Sequence, residues 1–295
     1  MNFTQLRAFD AVARTSGFSR AGNELGLSQP AVTIQVRGLE QAFGVQLFRR
    51  HGRHVELTEL GQQLFEHTRR LFGIESEAYE LLRSGKHLLS GEVNLAADGP
   101  YAVMGLVSRF RREHPEVRVS LRLGNPGDCL AQLVDQRADL ALASEVPQDR
   151  HIHALPYLRQ PLMLLLPTAH PWARRSDLGL ADLEGSGMVM REPASNTRAL
   201  FERHLAGRQL KVRTALELDT REAVREAVAM GLGFGLTLEN EIGTDGRLRA
   251  VPIEGGSIVC TDYLACLAGQ SDRRVVAAFF ALAADGAAEE TAARD

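Results

Sequence analysis

The stretch SRAGNELGLSQPAVTIQVRGLE, residues 19–40, constrains the fold more strongly than any other part of the sequence. It predicts two short helices joined by a tight turn at Gly26. Ser28 suits the N-cap of the second helix, because its hydroxyl can accept a backbone N–H of the first turn. Pro30 falls in that first turn, where its missing N–H costs nothing. The apolar residues that follow are spaced by four, three and four, which predicts one buried stripe: Val32, Val36, Leu39 and Phe43.

The opposite face of the second helix carries a different set of side chains. Gln29, Thr33 and Arg37 form a polar row at intervals of four, and Ile34 lies roughly 170° from the centre of the apolar stripe at about 100° per residue. A helix held by one apolar face and presenting these residues outward suits a DNA major groove. An ordinary helical hairpin with a solvated face is the alternative, and this stretch alone does not separate the two.

The neighbouring segments favour the DNA interpretation. Upstream, Phe3, Leu6, Phe9 and Val12 predict a first amphipathic helix. Downstream, VQLFRRHGRHVELT (residues 45–58) has apolar residues on both sides of a glycine-centred turn, which indicates a hairpin. Three helices and a basic hairpin make a winged helix-turn-helix, whose wing would place its arginines on DNA phosphates; a solvated basic turn is the alternative. These arginines are Arg49, Arg50 and Arg53. His51 and His54 have no third ligand nearby, so we expect no metal there.

Charge is distributed unevenly along the chain. Residues 1–56 contain seven arginines, no lysine and four acids, a balance of +3 that leaves −6 for the rest of a chain with formal net charge −3. An N-terminal segment with net positive charge, followed by a remainder with net negative charge, is typical of a nucleic-acid-binding module attached to a domain of another kind. The hydrophobic content of 44% and charged content of 24% are typical of a globular protein. Three scattered cysteines predict small buried thiols rather than a disulfide framework or a zinc site.

The run LRAFDAVARTSGFSRAGNELGLSQPAVTIQVRGLEQAFGVQLFRR, followed by LTELG, resembles the DNA-binding domain of LysR-type transcriptional regulators over residues 1–61. The resemblance implies that Gln29, Pro30 and Thr33 touch DNA and that Arg37 lies close to the backbone; we add Ser28 and Ile34 to the expected contact face. Two positions depart from the usual pattern of the family. Gly22 stands where many members have Ala. Ile34 stands where a polar residue is common, so an apolar contact, for instance with a thymine methyl, is the mode available to it.

A heptad pattern follows Thr58, with spacings that alternate between four and three. Its members are Leu60, Leu64, His67, Leu71, Ile74, Ala78 and Leu81. We predict a linker helix over residues 59–89 after a DNA-binding domain over 1–58. By resemblance this helix dimerises two chains; the alternative is an amphipathic helix that lies on its own domain.

Beyond residue 90 the pattern predicts an α/β domain, because short apolar runs alternate with helical stretches. Strands are predicted at residues 92–97, 117–123, 139–143, 162–167, 188–191, 215–218, 235–238, 248–252 and 259–267, and helices at 102–113, 128–136, 197–206, 221–230 and 273–284. We expect two lobes, one over about 90–160 and 267–285 and the other over about 161–266, with crossings near 159–161 and 266–269. This resembles the two-lobed, periplasmic-binding-protein-like effector domain of the same regulators, so the fold class is α plus α/β. The tail 286–295 is expected to be disordered.

In open α/β sheets, ligands lie outside the carboxyl ends of strands, where helix N-termini offer free N–H groups. Four strand ends meet this rule, and they give the candidate effector-binding residues Asp98, Gly99, Tyr101, Asn125, Arg191, Ser195, Thr197, Arg198, Thr220 and Arg221. Hydroxyls, N–H groups and up to three arginines would suit an anion, either a carboxylate or a phosphonate. Simple helix caps and solvated arginines are the alternative for each residue taken singly. The segments LVSRF, LRLGN, REPASNTR and TREAVREAVAMGLG also resemble a branch of the family associated with aminoethylphosphonate catabolism.

The sequence shows no pattern typical of catalysis. It has no G-x-S-x-G, no His and Glu pair at metal-ligand spacing and no P-loop, so we expect neither an enzyme nor a cofactor. The first residues lack the pattern of a signal peptide and no run is long enough for a membrane helix, so we expect a cytoplasmic protein. We therefore predict an effector-responsive, DNA-binding regulator that forms a homodimer and pairs further into a homotetramer. The alternative is a solute-binding or enzymatic α/β protein whose N-terminal helices only dimerise it.

Overall fold

The computed structural model describes residues 2–51, 54–84, 89 and 91–294. The chain divides into two compact units. The first comprises Met1–Gly91 with Asp135–Arg137, and the second comprises Glu92–Val134 with Ala138–Asp295.

The first unit is a winged helix-turn-helix followed by a long helix. Its elements are α1 (Phe3–Thr15), α2 (Phe18–Leu25), α3 (Gln29–Phe43), β1 (Phe48–His51), β2 (His54–Leu57) and α4 (Glu59–Ser84). Strands β1 and β2 pair antiparallel, as the hairpin pattern predicted. The core of this unit is formed by apolar side chains from α1 to α4, among them Phe9, Val12, Val32, Val36, Leu39 and Phe65.

The ends of the helices follow from local chemistry. The backbone N–H of Ala31 donates to Oγ of Ser28 at 3.3 Å, and the C-caps Gly26 and Gly44 adopt left-handed conformations, with φ of 65° and 64°. The prediction that Phe43 continues the buried stripe was wrong, since its side chain is 57% exposed. The reason is that α3 ends at Phe43, and the chain leaves the helix axis at Gly44.

A buried hydrogen bond helps to hold α4 against α1. Oγ1 of Thr68 donates to Oδ1 of Asp10 at 2.9 Å, and both residues are buried. Three of the seven predicted heptad residues are large apolar side chains that are exposed within this unit, namely Leu60, Leu71 and Ile74. The side chain of Leu81 lies outside the described residues.

The second unit is α/β. Its strands are β3 (Gly91–Ala97), β4 (Val117–Leu123), β5 (Leu140–Ala143), β6 (Ile152–Pro167), β7 (Gly187–Arg191), β8 (Arg213–Leu218), β9 (Gly235–Leu238), β10 (Leu248–Pro252) and β11 (Val259–Leu267). Its helices are α5 (Pro100–Glu113), α6 (Pro126–Val134), α7 (Asn196–Gly207), α8 (Arg221–Ala229) and α9 (Arg274–Arg294), and short 3-10 turns lie between several elements. All nine predicted strands and five predicted helices are present.

Two lobes share the long strand β6. Lobe I contains β4, β3, β5, β11 and the first part of β6, and β3 pairs parallel with β5. Lobe II contains β10, the second part of β6 and β9, with β7 and β8 paired parallel beside them. Lobe I packs its core around α6 and β5, and lobe II around the second part of β6 and α7.

The paths between the lobes correct the sequence analysis in two places. Residues 152–161, where no strand was predicted, form the first part of β6 and pair with β11 from end to end. The return to lobe I lies within β11 itself, because Tyr263–Ala265 already pair with β5, so it precedes the predicted 266–269.

The C-terminal tail also differs from the expectation. Helix α9 continues to Arg294, so the backbone of residues 286–294 is helical rather than disordered. The physical reason is composition, since the segment AAEETAAR is rich in Ala and Glu, which have high helix propensity. Among the described residues, no helix is both long and apolar enough to cross a membrane.

Candidate functional sites: the outer face of α3 and the interlobe cleft

The outer face of α3 is exposed where the sequence analysis predicted it. Ser28, Gln29, Pro30 and Arg37 are exposed, Thr33 is half-buried, and Ile34 is 68% exposed. Val32, Val36 and Leu39 on the other side are buried in the core of the unit. Six of the predicted contact residues are therefore brought together on one accessible surface.

Two hydrogen bonds order the start of this face. Oγ1 of Thr33 donates to the carbonyl oxygen of Gln29 at 2.9 Å, and Oγ of Ser19 on α2 donates to Oε1 of Gln29 at 3.2 Å. The second bond holds the Gln29 side chain against α2. Gln29 is thereby preorganised, which lowers the entropy cost of a contact.

The wing is tied to α3 by a residue that the sequence analysis missed. Oε1 of Glu40 accepts the backbone N–H groups of Leu47 and Phe48, at 2.8 and 3.3 Å. The one feature of the sequence that could have indicated this contact is the position of Glu40, an acid near the end of a helix that precedes a basic turn. Arg49 is exposed on β1 and opposite Glu56. The side chain of Arg50 and all of Arg53 lie outside the described residues, as do the side chains of His51 and His54.

A cavity of about 350 Å³ lies between the two lobes of the second unit. Nine of the ten predicted effector-binding residues line it, all of them except Arg198. The volume is at the small end of the range for ligand pockets, roughly 300–1,000 Å³, so the cavity suits a small molecule.

In the described part of the chain, four helices begin at this cavity, and the start of α6 is capped by Oδ1 of Asn125, which accepts the N–H of Asp128 at 2.8 Å. Helices α5 and α7 start without a side-chain cap, behind Gly99 and Ser195 respectively, whereas Oγ1 of Thr220 caps α8 by accepting the N–H of Ala223 at 3.1 Å. At α7, the hydroxyls of Ser195 and Thr197 lie 3.0 Å apart. Such a helix start offers free N–H groups and a positive dipole end to an anion.

The arginines do not form the free cluster that the sequence analysis predicted. Arg198 points away from the cavity, where its guanidinium bonds Glu202, Glu217 and the carbonyl oxygen of Arg191. The side chain takes this direction because two acids within its reach form stronger, charged hydrogen bonds with the guanidinium than water does. Arg191 pairs with Glu192 at 2.7 Å.

Arg221 spans the cleft at this cavity, and elsewhere between the lobes Arg203 on α7 pairs with Glu145 of lobe I at 3.0 Å. Nη1 of Arg221 donates to the carbonyl oxygen of Asp98 at 2.8 Å, and its Nε pairs with Glu241 at 3.0 Å. Arg221 thus links lobe I to lobe II.

Buried carboxyl groups at the cavity were missed from the sequence. Asp262 is 3% exposed and Glu241 is 8% exposed. Burial raises the pKa of Asp262 to about 7, helped by repulsion from Asp98 and opposed by a hydrogen bond from Gln160. Burial likewise raises the pKa of Glu241, against the attraction of Arg221. For Asp262, the available signal was an acid within the apolar strand pattern of β11, two residues after Cys260.

The cysteines are buried and free, as predicted. Cys260 lines the cavity, and burial raises the pKa of its thiol to about 12, so the group is neutral and a poor nucleophile. In the described part of the chain, no cluster of three or more His, Cys, Asp or Glu side chains could hold a metal ion.

Comparison with known proteins identifies both domains. Residues 3–62 match the family described as "Bacterial regulatory helix-turn-helix protein, lysR family", and residues 86–288 match "LysR substrate binding domain". The RuBisCO operon transcriptional regulator of Allochromatium vinosum is 34% identical over 86% of this chain and 86% of its own.

Solved structures show the same architecture. A full-length variant of OxyR from Pseudomonas aeruginosa superposes with a TM-score of 0.79 at 21% identity, over 96% of this chain and 94% of that one. The regulatory domain of CcmR from Synechocystis PCC6803, solved in complex with 2-PG, is 27% identical and covers 67% of this chain and 98% of that one, with a TM-score of 0.61.

These proteins are regulators of transcription and not enzymes. The alternative of a solute-binding or enzymatic protein with a dimerising head is therefore set aside. With both family descriptions matched and a relative above 30% identity, this chain belongs to the LysR family of DNA-binding transcriptional regulators.

Proposed function

We propose that this regulator contacts promoter or operator DNA through the outer face of α3 and the wing, and responds to a small anionic effector in the interlobe cleft. The effector would be a carboxylate or a phosphonate. Its binding would shift the lobes between arrangements and thereby change the spacing of the DNA-binding units. As a protein that acts on promoter DNA, it would work in the cytoplasm.

The observation that carries the anion proposal is the start of α7. No side chain caps this helix, and Ser195 and Thr197 place two hydroxyls beside its first N–H groups at the cavity wall. The anion would be held by these N–H and O–H donors, since the arginines at the cleft are already paired. The CcmR regulatory domain in complex with 2-PG supports a small molecule in such a domain.

The DNA proposal assigns different tasks to different residues. Gln29, Pro30, Thr33 and Ile34 lie where base edges would be met, whereas Arg37 and the wing arginines would meet phosphates. Phosphate contacts supply affinity without sequence preference. The exposed heptad side chains of α4 would pair two chains into a homodimer. Two such dimers would pair further into a homotetramer.

The DNA proposal is tested with the full-length protein and a fragment of its own upstream region, against random DNA of equal length. Affinity for the fragment should fall steeply between about 50 and 200 mM salt, by about 10³-fold or more if six or more phosphates are contacted. A protein with equal and weak affinity for both DNAs would contradict the proposal.

The effector proposal is tested by thermal shift. At least one small carboxylate or phosphonate should raise the melting temperature of the effector domain. Replacing Ser195 and Thr197 by Ala and Val should weaken that stabilisation, whereas the matched control Ser176→Ala, at an exposed bend that does not line the cavity, should not. If no such anion stabilises the protein, the effector proposal fails.

A further inference from the structure

We propose that the effector domain has a second ligand site, which takes a small carboxylate with an apolar or aromatic body. The site is a second cavity between the lobes, about 540 Å³ in volume, where Arg203 of α7 would bind the carboxylate. This volume lies within the range of ligand pockets, roughly 300–1,000 Å³. The proposal is independent of the anion at the start of α7, because Ser195 and Thr197 line the first cavity and not the second.

The second cavity lies on the other face of strand β11. Asp262 lines the first cavity, whereas Val259, Thr261 and Tyr263 line the second. Successive side chains of a strand point to opposite faces, so residues spaced by two line one cavity and the residue between them lines the other. The strand is thus a wall that the two cavities share. Three residues border both cavities: Ser144, Asn196 and Cys260.

Apolar side chains from both lobes line this second cavity. Leu130 of α6 and Val146, which follows β5, belong to lobe I, and Leu200 of α7 belongs to lobe II. These three residues are half-buried, as are Val259 and Tyr263 of β11. A ligand that covers them removes apolar surface from water, which is favourable in proportion to the area. The wall therefore favours a ligand with an apolar body over a bare anion.

One ion pair lies at the rim of the second cavity. Nη2 of Arg203 pairs with Oε1 of Glu145 at 3.0 Å, and the two side chains are 64% and 55% exposed. They are the charged side chains among the described residues that line this cavity. An exposed pair of this kind contributes little to stability. A guanidinium also binds carboxylates in a well-defined planar geometry, so the carboxylate of a ligand can take the place of Glu145 at Arg203.

The ion pair at the first cavity is less suited to such an exchange. Arg221 is paired there with Glu241, whose side chain is only 10% exposed. Releasing Glu241 would leave a buried carboxylate without its cation, which is costly. Glu145 has no such penalty, because solvent reaches its carboxylate with and without a ligand. This difference in burial favours Arg203 over Arg221 as the arginine that exchanges its partner for a ligand.

The test is titration calorimetry on the full-length protein with two carboxylates and their neutral counterparts. Phenylacetate and hexanoate have both the charge and an apolar body, phenylacetamide and hexanamide keep only the body, and acetate keeps only the charge. At least one of the two larger carboxylates should bind about tenfold or more tightly than its amide and than acetate, as expected for a charged hydrogen bond and for buried apolar surface. If neither does, the proposal is overturned.

Two variants of the ion pair distinguish a ligand site from a bridge that only joins the lobes. Arg203→Gln removes the partner of the ligand, so the affinity for the tighter carboxylate should fall about tenfold or more. Glu145→Gln removes the competing carboxylate, so the affinity should rise by about twofold to fivefold, the range for an exposed ion pair. The proposal requires changes of opposite sign. Changes of the same sign, or no change in one variant, would overturn it.

A matched control accounts for the loss of an exposed arginine. Arg208 lies at the end of the same helix, is exposed, pairs with Glu254 and lines neither cavity. Arg208→Gln should therefore keep the affinity for the carboxylate within about twofold. A loss as large as that of Arg203→Gln would show that the effect is one of net charge and would overturn the proposal.

A further variant assigns the carboxylate to one of the two cavities. Replacing Ser195 and Thr197 by Ala and Val alters the first cavity and not the second, so the affinity for phenylacetate or hexanoate should stay within about twofold. If this double variant weakens binding and Arg203→Gln does not, the carboxylate occupies the first cavity. The second site is then overturned, while the anion proposal for the start of α7 stands.

Discussion

Nε2 of Gln160 donates to Oδ2 of Asp262 at 3.2 Å, and this bond joins the two strands, β6 and β11, that run between the lobes. Both side chains are buried. Oε1 of Gln160 also accepts the backbone N–H of Asn240, next to Glu241. The connection between the lobes and the wall of the cavity therefore share the same polar groups.

The stability of the effector domain should depend on pH through Asp262. Its pKa is about 7 in the fold against 3.8 for an ordinary Asp, so the folded state keeps a proton that the unfolded chain releases. The free energy of unfolding should therefore fall as pH rises from about 4 to 7, by at most about 1.4 kcal/mol per pH unit for this group. Asp262→Asn should flatten the profile, measured by urea unfolding followed through Trp172, the single tryptophan. Exposed Asp219→Asn is the control, and parallel profiles for all three proteins would contradict the assignment.

Arg198 should matter for stability and not for ligand affinity. Its guanidinium connects α7 to β8 through Glu217 and to the end of β7 through the carbonyl of Arg191. Arg198→Gln should destabilise the effector domain by about 1–2 kcal/mol, because a charged hydrogen-bond network is lost. The dissociation constant of any effector should change less than about twofold. A large loss of affinity at unchanged stability would return Arg198 to the binding site.

Ile34 should govern operator preference. At 68% exposed it adds little to the core, so Ile34→Ala should leave the melting temperature within about 1 °C. Binding to the preferred operator should weaken by about 1 kcal/mol or more, as expected for a lost contact with a base, while binding to random DNA is unchanged. Competition binding on the two DNAs measures this. Equal losses on both would mean that Ile34 makes no base-specific contact.

The exposed side of α4 should hold two chains together. Ile74 is 66% exposed, and Ile74→Asp would place a charge in an apolar interface. Sedimentation should show monomers at concentrations where the parent protein is dimeric. Glu66→Lys, about 80° away from Ile74 around the helix at about 100° per residue, is the control and should keep the dimer. A dimeric Ile74→Asp protein would contradict the proposed interface.

Two glycines should respond oppositely to alanine. A Cβ on Gly61 would collide with the carbonyl oxygen of Leu47, whereas a Cβ on Gly105 would meet nothing within 4 Å. Both lie in helices, where Ala is favoured over Gly by about 1 kcal/mol. Gly105→Ala should therefore stabilise the protein by up to that amount. Gly61→Ala should destabilise it by roughly 1–3 kcal/mol, the usual cost of overpacking. Calorimetric scanning distinguishes them, and stabilisation by Gly61→Ala would show that α4 can move away from Leu47.

The sequence by itself determined the elements whose burial is periodic. The spacing of Val32, Val36 and Leu39 placed the inner face of α3, because apolar residues three and four apart share one side of a helix. Ser28 marked the start of α3 and Gly26 the end of α2, through local hydrogen bonding and backbone freedom. The same reasoning located the strand ends that surround the cavity. The resemblance of residues 1–61 to LysR-type regulators identified the DNA-binding unit.

Only the tertiary structure decided where chain segments distant in sequence meet. The first part of β6 contains Pro156 and Pro161, which argue against a strand when read locally. Pro156 is accommodated at the register shift opposite Asp262 and Tyr263, and Pro161 where β6 changes partners, so the missing N–H groups are tolerated. Likewise, the three-dimensional structure decides which acids lie close enough to pair with Arg191, Arg198 and Arg221. Charge pairing depends on distance through space, and for Glu217 and Glu241 that distance is set by the packing of strands and helices.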